Sequence, residues 1–223
     1  MDCACAILAG GASTRMGQDK ALMRAGGKTL IQIVFDRARE VFDRVMVISD
    51  IHEVFEGIGA PVFKDIIPFR GAMVGIVSAL LHADTPYVFV VGCDMPLVTA
   101  ESIKCVVRAA GGEDIVVPRM KNGYFEPLHA AYNRSCISPF LSCIERGRRR
   151  KADVYPYLIV RGIEDGPHFM NNGRSVFTNV NTKDDLENIG WAFEETLNAD
   201  KPGLSDHEAE NQGNPKPGAV CVR

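Results

Sequence analysis

The apolar run Ala4–Ala9 breaks on Gly10 and Gly11, and the chain then passes through small and basic residues, Arg15 among them, to Lys20. The run has the length and composition of a buried strand. Two glycines directly after it open backbone angles closed to other residues and let main-chain N–H groups approach a ligand. Arg15 and Lys20 add positive charge suited to phosphate oxygens. A strand feeding a glycine-rich basic loop reads as a cradle for a nucleoside triphosphate. A surface turn rich in Gly, Ser and Arg is the alternative.

Two other phosphate signatures are excluded. Gly26-Gly27-Lys28-Thr29 imitates the end of a P-loop, but the pattern requires glycine at position 22, where Leu22 stands. No G-x-G-x-x-G follows the first strand, so the dinucleotide fingerprint is absent. Gly26-Gly27 is read as a turn before a helix.

The rest of the chain repeats a strand–helix alternation. Apolar positions Leu30, Ile31, Val34, Ala38 and Val41 predict a helix over Leu30 to Phe42, followed by a buried strand over Arg44 to Ser49. Asp50 and Glu53 have capping-box spacing for a short helix to Ile58. A short strand over Pro61 to Lys64 ends at Asp65. A helix follows with Met73, Val74, Val77, Leu80 and Leu81 on its apolar side, then a central strand over Tyr87 to Val91. Thr99 is placed to cap the next helix, to Ala110. Such βαβ units imply a mostly parallel sheet with helices on both faces, and ligands beyond the carboxyl ends of its strands. Those ends are Gly10, Ser49, Asp65 and Asp94, so polar groups gather on one edge.

Ile115 to Met120 and Phe125 to Tyr132 flank Lys121-Asn122-Gly123-Tyr124, a hairpin signal that would make the sheet mixed. A helix over Ser135 to Arg146 and strands over Tyr157 to Arg161 and Val176 to Thr178 complete the pattern. Thr182 caps a final helix over Lys183 to Leu197, with Asp184, Asp185 and Glu187 at its positive end. Residues 1–197 are therefore one domain. Residues 198–223, rich in Pro, Gly, Asn and Glu, are expected to be a disordered tail.

Composition narrows the classes. A net charge of −3 gives no overall basic field for nucleic acid. No apolar run approaches the length of a membrane span. Seven cysteines without C-x-x-C spacing suggest neither a disulfide framework nor a zinc knuckle. Reduced thiols and a cytoplasmic location are expected, and Cys93 is read as a packing residue.

The pattern Leu8-Ala9-Gly10-Gly11-x-Ser13-x-Arg15-Met16-Gly17-x-Asp19-Lys20 resembles the signature of nucleotidyltransferases, and within them the molybdenum cofactor guanylyltransferases. Cys93-Asp94-Met95-Pro96 and Asn179-Val180-Asn181-Thr182 match two further motifs of that family. The resemblance implies a Rossmann-like α/β fold. It also implies transfer of GMP from MgGTP to the phosphate of molybdenum-bound molybdopterin, releasing pyrophosphate. By this resemblance Leu8, Ala9, Gly10, Gly11, Ser49 and Asp65 bind the nucleotide. Arg15 and Lys20 act on the triphosphate, Asp94 holds Mg²⁺ (or Mn²⁺), and Asn179 and Asn181 contact phosphates or the second substrate. Glu126-Pro127-Leu128-His129 would lie near the acceptor. The run Arg146, Arg148, Arg149, Arg150 and Lys151 is either an acceptor-phosphate site or a solvated helix end.

Each role has a plainer competitor. Asp94 also suits a turn before Pro96, Asp65 a cap, the asparagines turn formation, and His129 a core position. Phe69-Arg70-Gly71-Ala72-Met73-Val74-Gly75 lacks the two prolines usual in the family, and Gln18 stands where some members have glycine. The competing functions are CTP-dependent molybdopterin loading, sugar-phosphate nucleotidylation, and, from a different class, a non-catalytic nucleotide-binding regulator. The implied partners are molybdenum-insertion proteins and target molybdoenzymes, with no nucleic acid and no membrane.

Overall fold

Three apolar runs pair side by side as parallel strands. β1 (Cys3–Leu8) lies between β4 (Val45–Ile48) and β6 (Tyr87–Gly92), with Leu8 opposite Ile48 on one side and Gly92 on the other. This computed structural model describes residues 2–10, 20–51, 53–55, 57–69, 71–148, 150 and 153–189. Side chains alternate across the strands. Cys5, Ile7, Val45, Val47, Phe89 and Val91 enter one core layer, and Ala4, Ala6, Leu8, Met46, Ile48, Val88 and Val90 the other. Burial on both faces explains why these strands read as continuous apolar runs.

The helices supply the two covers. α1 (Leu30–Arg39) and α3 (Ala100–Ala109) contribute Ile31, Val34, Ile103 and Val106 to the first layer. α2 (Ala72–His82) and α4 (Ile137–Glu145) contribute Ile76, Val77, Leu80 and Phe140 to the second. Thr29 caps α1 by accepting from Gln32 N, and Thr99 and Ser102 form a reciprocal box at α3. Gly26 and Gly27, both at positive φ, turn a small hairpin of β2 (Arg24–Ala25) and β3 (Lys28–Thr29) that leads into α1.

The seven-stranded sheet is ordered β5-β4-β1-β6-β8-β7-β9, where β5 is Val62–Phe63, β7 Ile115–Arg119, β8 His129–Asn133 and β9 Val160–Glu164. β8 alone runs against its neighbours, so the mixed, mostly parallel α/β sheet follows the expectation. The hairpin carrying it is looser than its sequence predicts. Arg119 bridges Phe125 around the Asn122-Gly123 turn, but β8 starts only at His129. Pro118 has no N–H to give β8, and the carboxylate and carbonyl of Glu126 cap a detour through Leu128 N and His129 N.

Two late strands are corrected. Tyr155–Tyr157 is a 3₁₀ turn opened by Pro156, and β9 begins only at Val160. Val176 to Thr178 is a turn after the small hairpin of β10 (Met170–Asn171) and β11 (Arg174–Ser175). The short helix expected to Ile58 is a single 3₁₀ turn, Glu53–Phe55. The final helix, α5, is described over 183–189; residues 190–197 of the expected span and residues 198–223 lie outside the described residues. No helix among the described residues is long and apolar enough to cross a membrane.

Candidate active site

The carboxyl ends of β1, β4 and β6 stand level, and the chain leaves each of them toward the same edge. Ala9 continues β1 by donating to Ile48 O, and Gly10 beyond it is exposed, with no atom within 4 Å of where a Cβ would stand. Gly75 brings α2 onto this corner, since a Cβ there would lie 3.1 Å from Leu8 Cδ1. The loop's Gly11 and Arg15, and Gln18, lie outside the described residues.

Asp94 follows the end of β6. Its level is set by Cys93 N donating to Leu8 O at 3.1 Å and Met95 N donating to Gly92 O at 3.3 Å. The side chain folds back over Gly92, where a Cβ would come within 2.6 Å of Asp94 Oδ1. Glycine at position 92 leaves the carboxylate the volume that a side chain would take, and any larger residue would displace it. Cys93 is half-buried in the first core layer, as a packing residue should be.

The third motif arrives from the other end of the chain. Val180 N donates to Asp94 O at 2.8 Å, and Val180 is buried with Leu30, Leu97, Ala25 and Ile189 in a small separate cluster. Alternation then leaves Asn179 and Asn181 exposed on either side of it. Lys20 Nζ donates to Asn181 Oδ1 at 2.7 Å, joining residues 161 positions apart. Asp94, Lys20 and Asn181 thus converge through one apolar clamp and two hydrogen bonds.

Two supports of the site were not read as such in the sequence, where Asp185 stood only as a favourable charge at the start of the final helix. Asp185 Oδ2 accepts from the N–H groups of both Asn181 and Thr182 at 2.9 Å, while Thr182 Oγ1 accepts from Asp185 N at 3.1 Å. The Asn181 main-chain N–H is the main reason the Asp185 carboxyl sits below its usual range, with Lys20 adding charge. Thr-x-x-Asp spacing carried a signal for that box. Asn171 Nδ2 donates to Leu97 O at 3.1 Å, bracing the loop beyond Asp94; no sequence pattern marked it.

Other expected residues stand apart from this group. Ser49 is buried, its hydroxyl donating to Ala9 O and accepting from Ile51 N, so it ties β1 to the β4 exit. Asp65 faces α2 beside Ser78. Burial raises its pKa, the Asp50 charge adds to the rise, and the Ser78 hydroxyl and His82 oppose it. Asp65 Oδ1 is buried with no partner among the described residues. His129 is fully buried among Phe89, Phe169 and Phe177, away from solvent. Its neighbour Leu128 still touches the edge, accepting from Gly92 N at 3.1 Å. Arg146, Arg148 and Arg150 follow α4 and are exposed, Arg148 donating to the Tyr157 hydroxyl; Arg149 and Lys151 lie outside the described residues. Burial raises the pKa of Cys3 and Cys136 to about 12 and that of Cys5 too, and all six described cysteines are free thiols.

A mostly parallel sheet thus carries a glycine-rich strand exit, a strand-end carboxylate and a lysine–asparagine pair on the edge where α/β sheets bind their ligands. Residues 5–155 match the family described as MobA-like NTP transferase domain, and the chain belongs to that family. It is 34% identical over 181 residues to a probable molybdenum cofactor guanylyltransferase of Pelotomaculum thermopropionicum, covering 81% of this chain and 88% of that one. It is 35% identical to the molybdenum cofactor guanylyltransferase of Desulfosudis oleivorans, covering 81% and 91%. Among solved structures, the molybdopterin-guanine dinucleotide biosynthesis protein A of Archaeoglobus fulgidus superposes with a TM-score of 0.71 at 24% identity, covering 86% of this chain and 98% of that one.

Proposed function

We propose that this chain joins GMP from GTP to the phosphate of molybdopterin, yielding molybdopterin guanine dinucleotide and pyrophosphate. The observation that carries the reading is the meeting of Lys20, Asp94 and Asn181, from three motifs spread along the sequence, at one sheet edge. Relatives bearing the guanylyltransferase name match nearly their whole length, which supports GTP as donor and molybdopterin as acceptor.

The acceptor phosphate is already a nucleophile. Its oxygen forms a bond to the α-phosphorus while the bond from that phosphorus to the β-bridging oxygen breaks, and pyrophosphate leaves with the electron pair. No side-chain nucleophile is needed, so the protein works by alignment and charge neutralisation. Gly10 presents open backbone to the triphosphate. Lys20 carries its ammonium on a flexible stem within reach of Asn181. The basic residues Arg146, Arg148 and Arg150 offer charge to the acceptor.

The donor set fits Mg²⁺. Asp94 supplies a hard oxygen, and no group of three or more His, Cys, Asp or Glu side chains among the described residues forms a metal cage of its own. Mg²⁺ is commonly held by one or two carboxylates with substrate phosphates and water completing its shell. When bound, it would neutralise charge on the phosphates. Asp94 would hold it, and Gly92 leaves the carboxylate its place. The product would pass to molybdenum-insertion proteins or target molybdoenzymes, and residues 198–223 would be a tail outside the transfer domain.

Pyrophosphate release from each of the four NTPs, with and without molybdopterin, tests the reading. Release that requires both GTP and molybdopterin is expected. Preference for CTP would make the chain a cytidylyltransferase, and nucleotide binding without release would make it a regulator.

A further inference from the structure

Lys20 is the one described cation of the glycine-rich motif, and it sits on a short 3₁₀ turn, Lys20–Leu22. Nothing in that turn fixes an ammonium at the end of four methylenes. Its position comes instead from Asn181, whose amide oxygen accepts from it at 2.7 Å. Asn181 is itself exposed and lies before α5, so its side chain is only as well placed as its backbone.

That backbone is held by one carboxylate. Asp185 Oδ2 takes the N–H of Asn181 and the N–H of Thr182, each at 2.9 Å, and Thr182 Oγ1 closes the ring by accepting from Asp185 N. A helix cap needs only one such bond from a side chain. Asp185 makes two and reaches back to the residue before the cap. That extra bond serves Asn181, and through it Lys20.

We infer that Asp185 is a positioning residue for nucleotide transfer, acting through Asn181 to set the Lys20 ammonium at the triphosphate. The inference rests on the reading of Lys20 as a triphosphate contact. A carboxylate on the far side of Asn181 makes no contact with substrate. Its charge remains close enough to Lys20 for the ammonium to help hold the Asp185 carboxyl ionised. When the triphosphate arrives, Lys20 can exchange the neutral amide oxygen for charged phosphate oxygens without a search through its rotamers.

The test is a double-mutant cycle on the full chain with Lys20→Ala, Asp185→Ala and the pair, reading KM for MgGTP, kcat and Tm. Asp185→Ala is expected to raise KM about tenfold, the low end of what a charge-assisted hydrogen bond contributes. In the Lys20→Ala background the same change should leave KM where Lys20→Ala put it. Asp185→Asn keeps an oxygen for both N–H groups and should recover most of the loss. Asp185→Ser, which can keep the cap bond to Thr182 N as Ser102 does to Thr99 N but loses the bond to Asn181 N, replaces Asp185→Ala in the cycle if the alanine variant does not fold.

A tenfold rise that persists without Lys20 would show that Asp185 acts independently, and the inference falls. An unchanged KM in Asp185→Ala, with a raised one in Lys20→Ala, overturns the inference and leaves the functional reading standing. An unchanged KM in Lys20→Ala removes the triphosphate role of Lys20, and with it both.

Discussion

Asp94 and His129 lie at the same end of two neighbouring strands, one just past the end of β6 and the other at the start of β8, where Val91 pairs with His129. Asp94 is half-buried at the carboxyl edge of the parallel strands with its carboxylate over Gly92, and His129 is sealed in aromatic rings. Strand direction makes the difference. β6 runs out of the sheet here, so the residues after it leave the core and carry their side chains to the edge. β8 runs inward, so its first residue is already in the ladder, and the period of two turns it to the face packed by Phe89, Phe169 and Phe177. Chemistry-bearing residues at one level of one sheet can therefore have opposite fates.

The strongest way to break this contrast is at Asp94. Asp94→Asn keeps the size and turn-forming capacity of the side chain and removes its charge. If Asp94 only shaped the turn before Pro96, kcat would be unchanged. As a metal ligand its loss should lower kcat by about 10²–10³-fold, the range for removing one preorganised electrostatic group. The fall should persist at saturating GTP, and raising Mg²⁺ should recover part of it. The measurement is kcat against Mg²⁺ for both proteins, with circular dichroism as the folding control.

A smaller effect should come from the neighbour that makes room. Gly92→Ala puts a Cβ 2.6 Å from Asp94 Oδ1, and the carboxylate must swing away. Gly92 belongs to a regular strand, so alanine suits its backbone, and overpacking of this kind costs about 1–3 kcal/mol. We expect kcat to fall by up to about 10²-fold, as when a reacting group is displaced by 1 Å, with the chain still folded. Full activity in Gly92→Ala would mean that the observed position of Asp94 is not the working one.

Much of this architecture was legible. β1, β4 and β6 announced themselves because strands buried on both faces have no polar side to disguise them, and Thr99 and Thr182 marked helix starts. Val176 to Thr178 misled for the same reason. Val176 and Phe177 are as buried as strand residues, but they fill the first core layer from a turn, and burial alone does not distinguish the two. Pro156 and Pro118 moved boundaries by fixing φ or removing a donor, local facts outweighed by the apolar pattern around them. At the site, Asp94, Lys20 and Asn181 were marked by their motifs. Gly92 was not, since it acts by an absent Cβ, and Asp185 was legible only as a charge at the helix start, since its bond to the Asn181 main-chain N–H lies far from the glycine loop. Ser49 looked like a ligand group and is spent on β1 and the turn after β4.

The last prediction concerns His129, where activity should not change at all. Neither ring nitrogen has a hydrogen-bond partner at proper geometry among the described residues, and the ring meets Phe89 edge-on at 5.0 Å and Phe177 at 5.4 Å. Burial holds its pKa down at about 4, against an ordinary 6.5, with only the Ser102 main chain opposing. Between those values the unfolded chain binds a proton that the folded protein refuses. Stability from this group is therefore complete above pH 6.5, declines as pH falls toward 4, and changes no further below that. A shift of this size is worth about 3 kcal/mol, at roughly 1.4 kcal/mol per pH unit. His129→Phe should abolish that slope while leaving kcat intact. At neutral pH it should cost little, because losing two unsatisfied buried nitrogens, worth about 1–3 kcal/mol, offsets the larger ring. Urea unfolding at pH 7.5 and pH 4.5 supplies the comparison. Wild type should lose about 2–3 kcal/mol more than the variant on acidification. Equal losses would mean that His129 is not the buried neutral group described, and a fall in kcat at pH 7.5 would return it to the acceptor side of the site.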